Sequence, residues 1–589
     1  MYQNLRDYID ALRRDGDLAE ITAAVDPRLE VAEIHRRVIA EGGPALLFRN
    51  VKGSAFPIVT NLFGTSRRVE RAFGNKPSQF IKDAARAAVE LLPPTPSKLW
   101  NSRQLFFDAL RVGTKTTRRA PVLEMQQSTP RLTALPALTS APLDAGAFIT
   151  LPLVYTEHPD AKIHQSNLGM YRLQVFDDRT TGFHAQIGKG GGFHFIESER
   201  LGRDLPITIF LGGPPALILS AIAPLPEGVP ELLLASLVLG KKLPMVNAPA
   251  GGHRLVSEAE FAIRGIVKSG VRRPEGPFGD HYGYYSLQHD YPIVEVTHVW
   301  HRRDAIYPAT VVGKPKQEDF FLGDYLQELL SPLFPLVMPA VVDLWSYGET
   351  GYHSLSAAIV KDRYPREALA SAFRILGEGQ LSLTKFLILT DGRVDLRNFK
   401  ETLEYVLARC RFETDLFIFS NLSMDTLDYT GPKVNEGSKG VLLGLGAPVR
   451  ELPREFRGAP APGVKNVSVY CAGCIVVSGE TYQKDRDLPR RVATDPAFVN
   501  WPLIIIADEA AATAATTEQF LWRVFTRFEP AGDVFASASP VVRNHVAYTP
   551  PIAIDARMKP WYPGEVDADG ETAALVSRRW NEYFSPRRS

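Results

Sequence analysis

The sequence predicts a mixed α/β chain in three parts, and three observations support this. Its 589 residues exceed what one hydrophobic core organises, so two to four domains are expected. Helix-like and strand-like patterns alternate near both ends of the chain, whereas strand signals dominate from about 147 to 318. We therefore expect an N-terminal α/β domain over 1–130, a central antiparallel β domain over 131–318 and a C-terminal α/β domain over 319–589.

The N-terminal part begins with two predicted helices. Apolar residues at helical spacing, starting at Leu5, form the first helix. Asp26–Pro27 is expected to cap the second helix, which ends at Gly42–Gly43 before the strand ALLFRNV. A Pro-rich stretch at 132–146 then leads out of this domain.

Strand pairs characterise the central part. MYRLQVF and FHAQIG flank the turn-forming DDRTTG and predict a hairpin, and YPIVEVTHVW with AIYPATVVG predicts another strand pair. A turn centred on Asp178 would place Arg172 opposite His184, with Gln186 on the same face as His184. On these residues alone, the face could be an exposed sheet surface or the polar wall of a pocket.

The C-terminal part repeats the alternation of helices and strands. Helical DYLQELLSPLF and FKETLEYVLARCRF alternate with the apolar strands KFLILT, DLFIFS and PLIIIAD, and no repeat with a period of 20–50 residues is visible. The three cysteines, Cys410, Cys471 and Cys474, exclude a disulfide framework. Because strand-like runs flank CAGC, buried thiols are favoured over a zinc or redox site.

Charge and hydropathy narrow the class of protein. The chain has 67 Lys and Arg against 66 Asp and Glu, so no basic excess is available to bind a nucleic-acid backbone. The charged, amphipathic N-terminal segment is unlike a signal peptide, and Gly and Pro interrupt the most apolar region, LPITIFLGGPPALILSAIAPLP. We expect a soluble, cytoplasmic protein.

The stretch PEGPFGDHYGYY, residues 274–285, is the first candidate site. It carries Glu275 and Asp280 among Pro, Gly and aromatic residues, which exclude a helix. A rigid loop of this kind suits two acids whose pKa values are shifted by their surroundings. The alternative is a tight turn in which Asp280 bonds only its own backbone.

Two further segments could bind a metal or a phosphate. If the loop before Glu231 folds toward the hairpin, Asn167, His184 and Glu231 would offer amide, imidazole and carboxylate ligands suited to Mn²⁺ or Mg²⁺. Alternatively, Glu231 only complements the dipole of a helix beginning there. GKGGGFH, residues 188–194, could wrap a phosphate, but its spacing matches no phosphate-loop motif, so a flexible turn stays open.

Taken in order, these segments resemble the UbiD family of reversible decarboxylases. The resemblance covers nearly all of residues 1 to about 450, beyond which a long extension includes EQFLWRVFTRFEP. It is carried by DPRLEVAEIHRR, GGPALLFRNVKG, VTNLFGTSRRV, NLGMYRLQV, FHAQIGKGGGFH, APLPEGVPE, PEGPFGDHYGYY, HRRDAIYPAT and LDYTGPKVNEGSKG. The resemblance implies a split β-barrel in the central domain that binds flavin, and a homo-oligomer, dimer or hexamer, assembled through the C-terminal domain.

The resemblance also implies a set of site residues. The metal, Mn²⁺ or Mg²⁺, would be bound against the phosphate of prenylated FMN by Asn167, His184 and Glu231, and some members hold K⁺ on carbonyls corresponding to those around Ser220, Ala221 and Ala223. Flavin contacts would come from Met170, Tyr171, Arg172, His184, Ala185, Gln186, Lys189, Gly190 and Lys361. Arg172, Glu275 and Asp280 would form the catalytic set.

The reaction implied is the non-oxidative, reversible decarboxylation of an aromatic or heteroaromatic acid, with CO₂ as a product and a flavin prenyltransferase supplying the cofactor. No side chain is an adequate electron sink for this chemistry. Asp at 280, where some members that act on acrylic acids have Glu, favours a hydroxybenzoate-type substrate. Asp280 would need a raised pKa to donate a proton.

Three alternatives to this function stay open. The first is a decarboxylase of an α,β-unsaturated acid, and the second is a non-catalytic flavin-binding or assembly protein of the same family. The third is a flavin- or metal-dependent enzyme of different chemistry, such as a hydrolase, which is disfavoured because the sequence contains neither GxSxG nor HExxH.

Overall fold

The computed structural model describes residues 1–584, except 91–92, 94, 102, 104–106, 108–109, 161, 186–189, 226–227 and 315. Two compact units emerge: Met1–Leu329 together with the chain from Gly564 onward, and Leu330–Pro563. The mixed α/β fold class is confirmed, with an antiparallel sheet at the centre of the first unit. The domain boundaries proposed from the sequence stay predictions.

The first predicted helix is confirmed as Leu5–Arg14, with Asn4 as its N-cap. The second helix, Glu30–Ala40, begins later than predicted. Asp26 does not cap it, because its carboxylate accepts from the backbone N of Arg28 and the chain then reverses at Leu29, whose φ is 66°. The predicted end at Gly42–Gly43 is confirmed, since both backbone N–H groups donate to carbonyls of the last helical turn.

A small sheet lies beside these helices. Its first two strands run parallel, and the last strand comes from the predicted segment AIYPATVVG. That segment therefore does not pair with YPIVEVTHVW as predicted. The strands, in spatial order, are Leu18–Ile21, Ala45–Phe48, Ile58–Thr60 and Tyr307–Pro308.

The curled central sheet is antiparallel throughout and has two long strands at its middle. Bulges at Arg264/Gly265 and Val267/Arg272 interrupt their ladder, which allows the sheet to bend. In spatial order its strands are Thr180–Gly182, His289–His301, Phe261–Glu275, Leu205–Leu211, Leu153–His158 and Lys162–Gly169, with Met125–Gln126 against His289–His301.

The predicted hairpin around Asp178 exists only at its tip. Val175 and Thr181 form a single bridge, in the register that a turn centred on Asp178 requires. Beyond it the two arms separate, because Leu173–Gln174 pairs with Phe148–Ile149 and Thr180–Gly182 joins the central sheet.

The remaining described elements of the first unit are a small sheet and a set of helices. A three-stranded sheet consists of Leu255–Val256, Leu243–Val246 and Thr114–Thr116. The other helices are Ser66–Phe73, Lys76–Glu90, Pro96–Asn101, Gly190–Arg200, Ala216–Ile222, Glu231–Leu239, Glu318–Leu330 and Gly570–Phe584. Short 3₁₀ turns occur at Pro121–Leu123 and Leu132–Ala134. No helix within the described ranges is long and apolar enough to cross a membrane.

The second unit contains two five-stranded sheets. In spatial order the first has Val341–Ser346, Leu355–Val360, Phe386–Thr390, Glu436–Gly444 and Leu416–Ser423, and the second has Asn466–Cys471, Cys474–Ser478, Leu503–Ile506, Thr549–Asp555 and Val534–Ala538. Val541–Val542 and His545–Val546 form a small hairpin. The α-helices are Phe334–Val337, Glu367–Leu376, Phe399–Arg409, Phe412–Asp415, Leu488–Thr494, Ala510–Ala515, Thr517–Phe525 and Pro530–Asp533. The 3₁₀ turns are Ser331–Leu333, Gly348–Thr350, Gly379–Leu383 and Pro496–Phe498.

The prediction of buried cysteine thiols is confirmed. All three cysteines are free and buried. Cys471 and Cys474 lie opposite each other in an antiparallel strand pair, on either side of a tight turn. Burial raises the pKa of the Cys410 thiol to about 12 and also raises the pKa of Cys474.

Candidate active site

The acid-bearing loop, residues 275–286, leaves the end of the strand Phe261–Glu275 and folds into a turn bonded to itself. Asp280 donates its backbone N–H to the carbonyl of Tyr284 at 3.0 Å and accepts from the backbone N of Gly283 at 2.9 Å. Gly276 and Gly283 have φ values of 89° and 82°, a region that favours glycine. The glycines therefore shape the turn that carries the two acids.

Arg172 joins both acids of this loop. Its Nε donates to Glu275 Oε1 at 3.0 Å, its Nη1 to Asp280 Oδ2, and its Nη2 to Ser286 Oγ at 3.0 Å. The guanidinium also lies over the ring of Phe278, 4.9 Å from its centroid. A single cation is thus held between two carboxylates.

Burial makes this arrangement electrostatically strong. The side chains of Arg172 and Glu275 are 9% and 1% exposed. Burial opposes the charge on Arg172, but the carboxylates of Asp280 and Glu275 raise its pKa above the ordinary value. Burial also opposes ionisation of Glu275, yet the hydrogen bond from His184 and the charge of Arg172 lower its pKa. Both groups are therefore charged at neutral pH.

The expectation of a raised pKa for Asp280 is wrong for this arrangement. Burial beside aromatic rings does favour the neutral acid, but Arg172 and His281 outweigh it and hold the pKa of Asp280 well below its ordinary range. His281 donates to Asp280 Oδ1 from its backbone N at 2.7 Å and from Nδ1 at 2.9 Å. Asp280 is thus a carboxylate while Arg172 is bonded to it.

His184 lies on the other side of Glu275. Its Nδ1 donates to Glu275 Oε2 at 2.6 Å, and its ring lies 4.1 Å from that of Tyr291, centroid to centroid. Burial and the charge of Arg172 lower the pKa of His184, so the imidazole is neutral. Among the described residues, its buried Nε2 has no hydrogen-bond partner, which leaves a lone pair available to a ligand.

Asn167 and Glu231, the other two predicted metal ligands, meet at one end of the strand Lys162–Gly169. Glu231 begins its helix and accepts from the backbone N of Leu168 at 2.8 Å, while Asn167 donates to the hydroxyl of Tyr171 at 3.2 Å. Burial raises the pKa of Glu231 to about 7. Within the described ranges no three His, Cys, Asp or Glu side chains form a metal cluster, and the predicted set has two such residues plus an amide.

The predicted flavin-contact segments surround the same place. Tyr171 is buried and accepts from the backbone N of Gly191 at 3.0 Å, Met170 and Ala185 are half-buried, and Gly190 begins a helix. A Cβ at Gly190 would lie 2.1 Å from Asn167 Oδ1, so a larger residue there would displace the Asn167 side chain.

Three other predicted residues cannot be placed at this site. Gln186 and Lys189 lie outside the described residues. Lys361 is exposed and lies in the second unit, after the strand Leu355–Val360.

The carbonyls proposed for K⁺ lie at the end of the helix Ala216–Ile222. The backbone N of Ala223 donates to the carbonyl of Ser220 at 3.3 Å, and the backbone N of Leu225 donates to the carbonyl of Ala223 at 2.9 Å. Ala221 lies in the last turn of the helix. A helix C-terminus interacts favourably with a cation, which is compatible with the predicted position.

Sequence reasoning missed two members of the site, Ser286 and His281. Ser286 accepts from Arg172 and also from the backbone N of Phe278 at 3.2 Å, which ties the two ends of the loop together. Both residues lie in or next to the quoted loop, and a polar residue among turn-formers was the signal that could have found them.

Three domain families match the chain in order. The N-terminal, Rift-related and C-terminal domains of 3-octaprenyl-4-hydroxybenzoate carboxy-lyase, called UbiD_N, UbiD and UbiD_C, match residues 9–88, 114–315 and 320–444. Together these matches span most of the chain before the extension.

Relatives match at high identity. A protein of Chlamydia trachomatis is 54% identical over 587 residues, which is 99% of this chain and 100% of the relative. One of Chlamydia pneumoniae, described as a subunit of 4-hydroxybenzoate decarboxylase, is 51% identical and covers 98% of each chain. One of Archaeoglobus fulgidus is 35% identical and covers 76% of this chain and 92% of the relative.

Solved structures share the architecture. The UbiD-class enzyme HmfF of Pelotomaculum thermopropionicum, in complex with FMN, is 26% identical with a TM-score of 0.62 and covers 78% of this chain and 98% of its own. An evolved dimeric form of HmfF with prFMN has a TM-score of 0.61 at 26% identity, with the same coverage. Vanillic acid decarboxylase of Sedimentibacter hydroxybenzoicus, at 24% identity, shows the fold alone, with a TM-score of 0.67 and coverage of 78% of this chain and 96% of its own.

Proposed function

The chain belongs to the UbiD family of carboxy-lyases, and we propose that it is a decarboxylase that uses prenylated FMN to remove CO₂ reversibly from an aromatic or heteroaromatic acid. One observation carries the proposal: buried Arg172 is bonded to both Glu275 and Asp280. A non-catalytic family member would have no need to bury two acids around one cation, because such an arrangement costs desolvation energy.

A flavin fits the residues present. FMN and prFMN are found in the two HmfF structures. In this chain the unpartnered Nε2 of His184, the carboxylate of Glu231 and the amide of Asn167 would supply donors of the kind that bind Mn²⁺ or Mg²⁺ beside a phosphate. Met170, Tyr171, Ala185 and Gly190 would border the flavin. When bound, the prenylated ring supplies the electron sink that decarboxylation of an sp² carbon requires.

Three side chains would bind the substrate and prepare proton transfer. Arg172 binds and orients the substrate carboxylate, because a guanidinium can donate two parallel hydrogen bonds to it. Glu275 stays ionised between Arg172 and His184 and keeps the guanidinium oriented. As the substrate carboxylate engages Arg172, the bond from Arg172 to Asp280 weakens and the pKa of Asp280 rises.

Proton delivery then falls to Asp280 and His281. Protonated Asp280 donates to the carbon from which CO₂ departs, so that one substrate carboxylate and one proton give one arene and one CO₂. His281, whose Nδ1 lies 2.9 Å from Asp280 Oδ1 and whose side chain is 26% exposed, returns a proton from solvent. The loop therefore connects the reacting carbon to water.

A hydroxybenzoate-type acid is the substrate that we favour. The Chlamydia pneumoniae relative, 51% identical over 98% of this chain, is described as part of a 4-hydroxybenzoate decarboxylase. Asp280, the shorter acid, is consistent with this branch of the family.

The test is isotope exchange by protein produced together with a flavin prenyltransferase. We expect flavin absorbance in the purified protein and deuterium incorporation from D₂O into an aryl acid within a panel of hydroxybenzoic, heteroaromatic and acrylic acids. Protein without flavin absorbance would support a non-catalytic role. Exchange confined to acrylic acids would contradict the aromatic assignment.

A further inference from the structure

The extension contains a second copy of the C-terminal domain fold. We call residues 341–444 the first copy and residues 466–555 the second copy. In both, the five strands lie in the spatial order first, second, third, fifth, fourth. The neighbouring pairs are antiparallel, parallel, parallel and antiparallel in both copies.

The strand registers of the copies also coincide. One row of paired residues crosses each sheet at the same level and can be followed residue by residue. In the first copy it runs Ser346, Ser356, Leu387, Val441, Phe417, and in the second Val469, Ile475, Ile504, Ala553, Phe535. The two copies therefore share strand order, strand direction and register.

Local features repeat as well. Before the fourth strand, the backbone N of Arg411 donates to Asp415 Oδ2 at 2.8 Å, and the backbone N of Glu529 donates to Asp533 Oδ2 at 2.7 Å. The tripeptide Lys-Asp-Arg precedes the first α-helix of both copies, at 361–363 and 484–486. The second copy is therefore a diverged duplicate.

The two copies pack against each other through equivalent faces, which we call the shared layer. In the third strand of the first copy, Phe386 and Ile388 point into the shared layer, while Leu387 and Leu389 lie in an outer core. In the second copy the strand Leu503–Ile506 divides in the same way, with alternate residues in the shared layer and in an outer core. Each copy thus covers the other as a separate chain would.

Aromatic contacts join the shared layer. The ring of Phe399 in the first copy lies 6.1 Å from Phe520 and 5.8 Å from Phe525 in the second, centroid to centroid. Phe520 also stacks on Tyr470 at 3.6 Å. Contacts of this kind in a buried layer provide both area and specificity.

We propose that the second copy is a built-in partner, which covers within one chain the apolar face of the first copy that would otherwise require another chain. The C-terminal domain match ends at 444, before the second copy begins, so the first copy alone corresponds to the family domain. Monomeric soluble proteins rarely expose large contiguous apolar faces. The shared layer is therefore closed before any association between chains.

Hydrogen exchange at several protein concentrations tests this proposal in the full chain. We expect amides of Phe386–Thr390 and Phe399–Arg409 to be equally protected at all concentrations, because their cover is intramolecular. Protection that increases with concentration would overturn the proposal.

A variant and its control complete the test. Phe520→Asp, which places a charge in the shared layer, should reduce protection of Phe399–Arg409 in dilute solution and restore it as chains pair at higher concentration. Phe373→Asp, at an exposed position of the first copy, should match the wild type. Unchanged protection in Phe520→Asp would also overturn the proposal, and if this variant fails to fold the wild-type measurement decides.

A second inference concerns the residues that follow the second copy. The strap, residues 564–567, returns to the first unit and pairs with the acid-bearing loop. Tyr285 donates its backbone N–H to the carbonyl of Gly564 at 3.0 Å, and Val566 donates its own to the carbonyl of Gly283 at 2.9 Å. The loop that carries Asp280 is thereby extended into a small ladder.

Side chains fasten the strap to the first unit. Val566 is buried against Ala141 and Tyr285, and a Cβ at Gly279 would lie 3.1 Å from its methyl groups. Lys314 forms ion pairs with Glu565 and, at 3.4 Å, with Asp567. The strap is therefore fixed on both sides.

The helix Gly570–Phe584 anchors the strap farther along the chain. Tyr583 donates its hydroxyl to Glu30 Oε1 at 2.5 Å, Arg37 donates to the carbonyl of Ala573 at 2.7 Å, and Arg579 donates to the carbonyl of Ala24 at 3.0 Å. These bonds tie the helix to Glu30–Ala40 and its approach.

We infer that Val566 is a positioning residue for Asp280. Its backbone N–H holds Gly283, and the neighbouring carbonyl of Tyr284 accepts from the backbone N of Asp280 at 3.0 Å. The catalytic part of this inference rests on the proposed function, whereas the effect on the loop does not.

Substitutions at 566 separate the backbone bond from the side chain. Val566→Pro removes the donor, while Val566→Ala keeps it and Val566→Ile keeps both donor and bulk. We expect faster amide exchange over 280–286 in Val566→Pro, a kcat lower by up to about 100-fold and a nearly unchanged KM, because Arg172 still binds the substrate. Val566→Ile should show the amide exchange over 280–286, the kcat and the KM of the wild type.

The outcomes distinguish the two proposals. Unchanged exchange over 280–286 in Val566→Pro would overturn the role of the strap, whatever the activity. Faster exchange together with an inactive, flavin-loaded wild-type protein would leave the strap in place and contradict only the proposed function.

Discussion

Two clusters of buried charge, one in each unit, differ in what satisfies their cations. In the first unit, Arg172 donates from Nε, Nη1 and Nη2 to side-chain oxygens of Glu275, Asp280 and Ser286. In the second unit, Lys559 donates to Asp533 at 2.9 Å but also to the carbonyls of Arg527 and Asp555, at 2.9 and 2.8 Å. The cation of the second cluster is therefore bound largely by the backbone.

Arg557 follows the same pattern as Lys559. It binds both oxygens of Asp555, at 2.9 and 2.7 Å, and donates to the carbonyls of Glu480 and Asp485 at 2.9 Å. Carbonyls of the main chain cannot exchange for a ligand without unfolding, whereas side-chain carboxylates can move aside. The comparison teaches that burial of charge alone does not mark a catalytic site.

Asp280→Asn should produce the largest effect, a loss of turnover, because we assign catalysis to the cluster of the first unit. Asparagine keeps the shape of the side chain but cannot donate the proton that we assign to Asp280. We expect kcat to fall by about 10²- to 10⁴-fold, the usual contribution of a general acid, with the protein folded and the flavin bound. Turnover of the purified, flavin-loaded variant measures this.

Asp428→Asn is the matched control in the second unit. Asp428 is as buried as Asp280 and pairs with Lys385 at 2.8 Å. Turnover per folded molecule should stay at the wild-type level, because this pair is structural. Equal losses of turnover in both variants would mean that turnover is lost whenever a buried ion pair is broken, which would contradict a catalytic role specific to Asp280.

Asp533→Asn should produce the next largest effect, in stability rather than activity. The change leaves the buried Lys559 without its carboxylate partner. Breaking one side of a buried pair costs about 3–5 kcal/mol in the free energy of unfolding. Denaturant unfolding monitored by tryptophan fluorescence measures the loss, and an unchanged midpoint would mean that the backbone carbonyls alone suffice.

His184→Ala and Glu231→Ala should each weaken metal binding, and flavin retention with it, by more than about 10-fold. Each change removes one of three proposed ligands, and the flavin phosphate would lose the ion that it shares with them. Metal content by mass spectrometry and flavin absorbance are measured together. His253→Ala, another buried histidine, bonded to Thr208 at 3.2 Å, serves as control and should retain both. Unchanged metal content in the first two variants would exclude the ion from this site.

The turns of the site could be predicted from the sequence because they are local, whereas the set of Arg172, Glu275 and Asp280 came from the family resemblance. The glycines of PEGPFGDHYGYY predict a rigid turn, and Gly276 and Gly283 do adopt the left-handed conformation. The turn-forming residues around Asp178 predict the register of the bridge between Val175 and Thr181. Such features depend on neighbours in the chain, which the sequence displays directly.

Other features depend on partners that are distant in the chain. The pKa of Asp280 could not be inferred from nearby aromatic rings, because Arg172 outweighs their effect. Tyr307–Pro308 pairs with Ile58–Thr60 of the N-terminal sheet rather than with the preceding strand, His289–His301. The duplicated domain escaped a search for short repeats because its period is the length of a domain and few side chains were retained.

Acid titration should give the smallest effect and sharpen the comparison of the two clusters. Arg172 and His281 hold the pKa of Asp280 below its ordinary value of about 3.9. Stability from this group is therefore fully present above about pH 4 and is lost as the pH falls toward the folded-state pKa, because the unfolded chain binds the proton first. The stability advantage of the wild type over Asp280→Asn should then shrink by up to about 1.4 kcal/mol per pH unit below pH 4. Urea unfolding of both proteins between neutral and acid pH measures this difference. If the difference between the two proteins did not change with pH, Asp280 would titrate alike in the folded and unfolded chain. That result would contradict the stabilisation of its carboxylate by Arg172 and His281.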